Sequence, residues 1–158
     1  MEYGKRFLPL LLLLSIFSPT GCAGKLFVPF ATWVQLDIVS DENINPDDSG
    51  RASPVVVRIY ELKDVASFQS KDFFEIYDDD AKALGESLIK KEELNFRPNE
   101  TSYIERKYSE EAAYIGVFVA FRNIDDAQPR AFYKLHPSRT NKLKVNIKDI
   151  KVSISQNN

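Results

Sequence analysis

From Trp33 onward, apolar and polar positions alternate with a period of two in short runs separated by turn residues, which predicts strands buried on one face. In the first run Val34, Leu36 and Ile38 face one way, Gln35 and Asp37 the other. The second, Pro54 to Leu62, places Val55, Val57 and Ile59 on one face and Val56, Tyr60 and Leu62 on the other, interrupted by Arg58. A strand apolar on both faces is one covered on both sides. Leu94 and Phe96 mark a third strand that ends at Pro98, and Pro98-Asn99-Glu100 is a turn into a fourth near Tyr103 to Tyr108. The continuous apolar run from Ala113 to Phe121 predicts a central strand, and Ala131 to Leu135 a sixth. In the last segment Leu143, Val145 and Ile147 are followed by Ile150, Val152 and Ile154, so the inward face flips at Lys148-Asp149. Such a flip requires a β-bulge or a tight bend.

One stretch departs from this alternation. Phe68, Phe73, Phe74, Tyr77 and Leu84 lie between Asp64 and Leu88, and Phe73 and Tyr77 stand four apart, on one face of a helix. Asp79 and Asp80 occupy N-cap positions for a second short helix ending near Gly85. The aromatics either cover a sheet or line a ligand pocket; helical spacing of apolar residues favours the cover. The expected fold is an all-β, two-sheet β-sandwich of about seven to eight strands, residues 33–158, with a helical side insert at about 64–88.

The amino terminus follows different rules. Lys5 and Arg6 precede Phe7 to Phe17, an apolar run of 11 residues broken only by Pro9 and Ser15. That is shorter than the roughly 20 residues of a spanning helix and matches the h-region of a signal peptide. Small residues lead to Gly21-Cys22, which resembles the end of a bacterial lipobox, although Pro19 stands where Leu is usual. The reading is a signal peptide over 1–21, lipidation at Cys22, and a tether over 22–32. The alternative is ordinary cleavage after Ala23, which would release a soluble periplasmic protein. No Asp follows Cys22, which favours the outer membrane.

Charge and chemistry narrow the function classes. Net charge is −2 over the 158 residues, and removal of Glu2, Lys5 and Arg6 with the signal segment makes it −3. No basic stripe interleaved with aromatics is present, so nucleic acid is not an expected partner. The sequence has no G-x-S-x-G, H-E-x-x-H, Gly-rich phosphate loop or C-x-x-C, and its single histidine, His136, precedes Pro137 at a strand end. Asp41, Asn43 and Asn45 imitate half of a calcium loop, but Pro46 and Ala52 stand where Gly and Glu are required. Asp78, Asp79 and Asp80 read as a cap and a solvated turn. No catalytic residue, metal ligand or cofactor is expected.

The remaining candidate is the 13-residue connection Asp41 to Ser53, DENINPDDSGRAS, between the first two strands. Ordinary hairpin loops have two to five residues, and long loops are usually functional or disordered. Pro46 restricts the backbone and Asp47-Asp48-Ser49-Gly50 is turn chemistry. Ile44 is its one sizeable apolar side chain and is the expected anchor for a partner, with Asn43, Asn45 and Arg51 supplying hydrogen bonds. The other reading is a solvated crossover between two sheets. Shortening the loop to a tight turn is expected to leave folding intact.

Ser53 to Leu62 (SPVVVRIYEL), then Asp72 to Asp79 (DFFEIYDD), Leu84-Gly85, Ile115-Gly116-Val117 and Phe121-Arg122 resemble the TssJ family, outer-membrane lipoproteins of the bacterial type VI secretion system. The resemblance runs from about Trp33 to Asn141. It implies a transthyretin-like β-sandwich with a structural, non-enzymatic role on the periplasmic face of the outer membrane. The implied partner is the periplasmic C-terminal region of the inner-membrane protein TssM, which works with TssL. In the family the loop between the first two strands is associated with that contact, which implicates Asn43, Ile44, Asn45, Pro46, Asp47, Asp48 and Arg51 here. The rival is a lipoprotein that assists another envelope assembly or binds a small periplasmic ligand.

Overall fold

Strand β1 (Thr32–Ser40) sits inside a four-stranded sheet of order β4-β1-β7-β8, flanked by β4 (Thr101–Tyr108) and β7 (Thr140–Lys148), with β8 (Lys151–Gln156) at one edge. The β1–β7 pair is parallel and the others in that sheet are antiparallel. The second sheet is antiparallel throughout, in the order β3-β2-β5-β6: β2 (Val55–Leu62), β3 (Leu88–Phe96), β5 (Tyr114–Ala120) and β6 (Arg130–Lys134). These positions come from a computed structural model that describes Met1 and residues 31–157; the signal segment, Cys22 and the tether to Phe30 lie outside the described residues.

The two sheets face each other over one apolar layer. Val34, Leu36 and Ile38 of β1 and Leu143, Val145 and Ile147 of β7 meet Val55, Val57 and Ile59 of β2 and Ile115, Val117 and Val119 of β5. The doubly apolar reading of β2 holds, because its other face carries Tyr60 and Leu62 into a second cluster with Phe68, Ile76, Leu84 and Phe118. The helical insert lies over that outer face. It consists of α1 (Ala66–Ser70), α2 (Phe73–Leu84) and a 3-10 turn at Gly85–Ser87. Five residues are too few for a helix to hold itself. Burial of Phe68 to 1% exposure supplies about 2–3 kcal/mol, which fixes α1 on the sheet. Gly116 of β5 makes room for it: a Cβ there would lie 3.0 Å from Leu62 and 3.2 Å from Phe68.

The short helices end as their residues dictate. Asp72 caps α2 through the Glu75 N–H at 2.8 Å, and the Glu75 carboxylate accepts from the Asp72 N–H at 3.0 Å, a reciprocal capping box. Asp79 leaves helical geometry (φ −148°, ψ 73°), kinks α2, and accepts from the Lys82 N–H at 3.1 Å. It caps the second segment, as the sequence suggests.

Asp80 corrects the solvated-turn reading: it is 5% exposed, accepts from the Tyr60 hydroxyl at 3.0 Å and from Lys91 at 2.8 Å, and lies 3.5 Å from Arg58. Arg58, the polar break in β2, also donates to the carbonyls of Ile76 (3.1 Å) and Tyr77 (2.9 Å), where the kink interrupts the helical ladder. Burial, then the neighbouring Asp80 charge, pushes the Tyr60 phenol up from its ordinary pKa.

One strand boundary differs from the sequence reading, and the flip at the carboxyl end takes one of its two expected forms. β3 begins at Leu88 and includes Lys90 to Glu93, whose charges sit on an edge strand, where they deter pairing with another chain. The phase flip at the carboxyl end resolves as a tight turn between β7 and β8, with Lys148 paired to Lys151 and Asp149 at φ +52°.

Candidate partner-binding loop

The connection from Asp41 to Pro54 carries the chain from β1 in one sheet to β2 in the other, so it is a crossover, and it is tied down at every stage. The Asp41 N–H donates to the Ile147 carbonyl at 2.9 Å, and its carbonyl accepts from the Asn99 N–H at 3.1 Å. Ile44 is 0% exposed and belongs to the apolar layer between the sheets. It anchors the loop to its own sandwich, which overturns its expected place as an exposed anchor for a partner. A single large apolar side chain in a polar loop goes to the nearest core because no other site removes it from water.

Asn45 completes the clamp. At φ +49° it adopts the left-handed conformation that Asn tolerates better than most residues. Its N–H donates to the Asp149 carbonyl (2.8 Å), its Nδ2 to the Pro54 carbonyl (2.9 Å), and its Oδ1 accepts from the Arg122 N–H (2.8 Å). It is 3% exposed, so its hydrogen bonds are internal as well. The Ser53 N–H to Ile44 carbonyl bond (3.0 Å) closes the base of the loop.

Beyond that base the tip folds on itself. Asp47 accepts from the N–H groups of Ser49 (2.9 Å) and Arg51 (3.0 Å), and pairs with the Arg51 guanidinium at 2.8 Å. Gly50, at φ +76°, closes the turn by donating to the Asp47 carbonyl at 2.8 Å. The Arg51 N–H bond, with the guanidinium and the Ser49 N–H, holds the Asp47 carboxyl below the usual carboxylate range. A lowered pKa in the folded state means the turn is held above the ordinary value and lets go only as pH falls through the lowered one.

What remains exposed at the tip is Asp48, Ser49, Gly50 and Arg51, with Asn43 on the approach and Pro46 and Asp47 half-buried. Pro46, Asp47 and Asp48 form one side of a polar groove whose other side is Arg122 and Asn123, from the connection between β5 and β6. Neither of those two residues is expected from sequence as part of the site. Arg122 lies within the Phe121-Arg122 pair of the family pattern, which is the only signal that points to it.

The tip lies at the pole where β1 ends. The chain enters β1 at Thr32, at the opposite pole, about 26–30 Å away for nine strand residues. His136 is exposed at that entry pole, in a turn whose backbone is held by the buried Asn141. Among the described residues no cluster of three or more His, Cys, Asp or Glu could hold a metal ion, and no helix is long and apolar enough to cross a membrane.

Comparison with known proteins gives this arrangement its relatives. The family described as "Type VI secretion lipoprotein, VasD, EvfM, TssJ" matches residues 32–150, nearly the whole sandwich. The chain belongs to this type VI secretion lipoprotein family. Within solved structures it is similar to the type VI secretion lipoprotein TssJ1 from Pseudomonas aeruginosa (TM-score 0.78, 30% identity), over 81% of this chain and 98% of that one. It shares its fold with Serratia marcescens Lip, a membrane-bound component of the type VI secretion system (TM-score 0.72, 20% identity), over 78% of this chain and 97% of Lip. The fold also recurs in a chain of the structure described as "T6SS protein TssM C-terminal domain (869-1107) from EAEC" (TM-score 0.65, 22% identity), over 79% of this chain and 98% of that one. No curated protein matches. A β-sandwich of this lipoprotein family, with its loop clamped from within, is therefore the frame in which the tip has to be understood.

Proposed function

We propose that this protein is a structural tether of the type VI secretion system, anchored to the periplasmic face of the outer membrane through lipid on Cys22. In this reading it binds the periplasmic C-terminal region of TssM, and through TssM the complex that contains TssL. The role is mechanical rather than catalytic. The observation that carries it is the position of the internally clamped tip at the pole opposite the chain's entry. A partner docked there does not collide with the anchor, and the tip is already ordered before binding, which lowers the entropic cost of association.

A further feature supports TssM as the partner: the same fold recurs in structures described as a TssM C-terminal domain and as a type VI membrane complex.

The test follows from the clamp. Deleting Asp41 to Ser53 outright would remove Ile44 from the core, so the sequence expectation that the whole loop can be shortened without harm is revised. Replacing only Pro46 to Ala52 with a short Gly-Ser linker keeps Ile44, Asn45 and the Ser53 bond. That variant should keep its melting temperature and lose at least tenfold in affinity for the TssM periplasmic region, about 1.4 kcal/mol, by calorimetry. Unchanged affinity would move the interface elsewhere on the sandwich. Labelled palmitate on the wild type but not on Cys22→Ser tests the anchor.

A further inference from the structure

The helical insert covers the outer face of only one sheet. The outer face of the β4-β1-β7-β8 sheet has no layer upon it among the described residues, and its cross-strand rows can be read from the register. Lys107, Trp33 and Thr140 form the row nearest the chain's entry; Glu105, Gln35 and Lys142 form the next; Tyr103, Asp37 and Lys144 the third. Lys148 and Lys151 face each other at the far end. The face thus carries five lysines against the two carboxylates of its rows, Glu105 and Asp37, with Asp41 beside Lys148 at the far end. Those two are occupied by neutral donors: Glu105 accepts from Gln35 and Tyr103, each at 3.2 Å, and Asp37 from Asn157 at 2.5 Å. Among the described residues, Lys107, Lys142, Lys144 and Lys151 have no carboxylate within 4.0 Å, while Lys148 has Asp41 at that limit.

The opposite side of the molecule has the reverse charge. Residues 64–88 contain seven acidic groups (Asp64, Asp72, Glu75, Asp78, Asp79, Asp80, Glu86) and two basic ones (Lys71, Lys82), and the sheet face beneath them adds Arg58, Lys91, Arg130 and Lys134 against Glu93, which leaves that side at a net −2. The molecule is therefore polarised across its thickness although its overall charge is close to zero. Such a dipole turns the cationic sheet toward an anionic surface and the insert away from it.

We propose that this open sheet face docks on an anionic phospholipid surface, with Trp33 at the membrane interface and Lys107, Lys142 and Lys144 over the headgroups. Three features favour lipid over an acidic protein. The face has its lysines spread over three cross-strand rows of a broad sheet surface rather than gathered around one point. Its one large exposed indole, Trp33 at 40% exposure, is the side chain that belongs at the boundary of apolar and wet phases. Trp33 also directly follows Thr32, ten residues after Cys22, so a tether of about 35 Å at full extension holds this edge close to any membrane the anchor enters. The last point rests on the lipid-anchor reading above; the charge and Trp33 do not. With the sheet down, the tip of the β1–β2 loop lies at the rim and stays uncovered.

The experiment dispenses with the anchor. The mature chain carrying Cys22→Ser is mixed with vesicles of phosphatidylcholine alone or with phosphatidylglycerol, and followed by co-sedimentation and by tryptophan emission. Trp33 is the only tryptophan of the chain, so its spectrum reports this face alone. Expected are binding and a blue shift with phosphatidylglycerol vesicles, neither with phosphatidylcholine alone, and loss of both as salt rises. Lys107→Glu, Lys142→Glu and Lys144→Glu together should weaken binding at least tenfold, whereas Lys71→Glu with Lys82→Glu on the insert should not.

Absence of binding or of the blue shift in the Cys22→Ser chain overturns the proposal, and this needs no folded triple variant. It is equally overturned if the triple reversal weakens TssM binding instead, which would make an acidic protein the occupant. Failure of palmitate labelling or of TssM binding in the wild type would strike the tether reading and leave the vesicle result standing.

Discussion

Ile44 and Arg51 lie seven positions apart in one loop and do opposite things, which the sequence alone does not reveal. Both look like interface residues when the loop is read as a protrusion, because a loop has no period from which to infer which side chain turns inward. The structure buries Ile44 completely and leaves the Arg51 side chain 80% exposed. Ile44→Ala should therefore cost about 2–5 kcal/mol, a transfer loss plus a cavity, seen as a lower urea midpoint. Arg51→Ala should leave that midpoint in place and act on binding. A small effect of Ile44→Ala would mean that the loop is not clamped through the core. Asn45 was legible as a hydrogen-bonding residue, but its partners are Pro54 and Arg122 of its own chain rather than another protein.

At the scale of elements, the period-two runs located the strands well because each has a core on at least one side. The insert was legible as a helical layer for the same reason, but its covering residues only in part: Phe68 and Leu84 are buried as expected and Phe73 packs beside them, whereas Phe74 and Tyr77 stay exposed and Ile76, which the aromatic spacing passes over, is fully buried. Its interior chemistry was not. Cap logic gives Asp79 and Asp80 equal standing, and only the packing of α2 over β2 separates them. Asp79 faces solvent and caps, so Asp79→Ala should cost about 1 kcal/mol. Asp80 holds the Tyr60 hydroxyl and Lys91 beneath the helix, beside Arg58, and its loss leaves buried donors without an acceptor. Asp80→Ala should cost about 3 kcal/mol, more than its neighbour, in the same denaturation series. Equal costs would show that the network under α2 contributes no more than a surface cap. Arg58, which reads in sequence as an interruption of an apolar strand, is the residue that lets a kinked helix lie on that strand.

At the scale of the molecule, the sandwich presents two surfaces with different addresses. The loop tip and its groove with Arg122 and Asn123 occupy the pole where β1 ends, and the Trp33 edge of the open sheet lies where β1 begins. Alternation along β1 and β7 revealed that one face of their sheet was polar. It could not reveal that one polar face would be cationic and open, because that depends on how β1 pairs with β7, a parallel pairing between segments a hundred residues apart. Sites separated by more than about 10 Å without shared partners act additively. Hence replacing Pro46 to Ala52 should leave vesicle binding and the Trp33 blue shift unchanged. The triple reversal at Lys107, Lys142 and Lys144 should in turn leave TssM affinity unchanged. The combined variant should lose each activity by the same factor as the corresponding single change, measured by calorimetry for TssM and co-sedimentation for vesicles. A cross-effect above about threefold would mean that the two surfaces are coupled or form one interface, whereas the proposed tether, with a membrane on one side and TssM on the other, requires them to be separate.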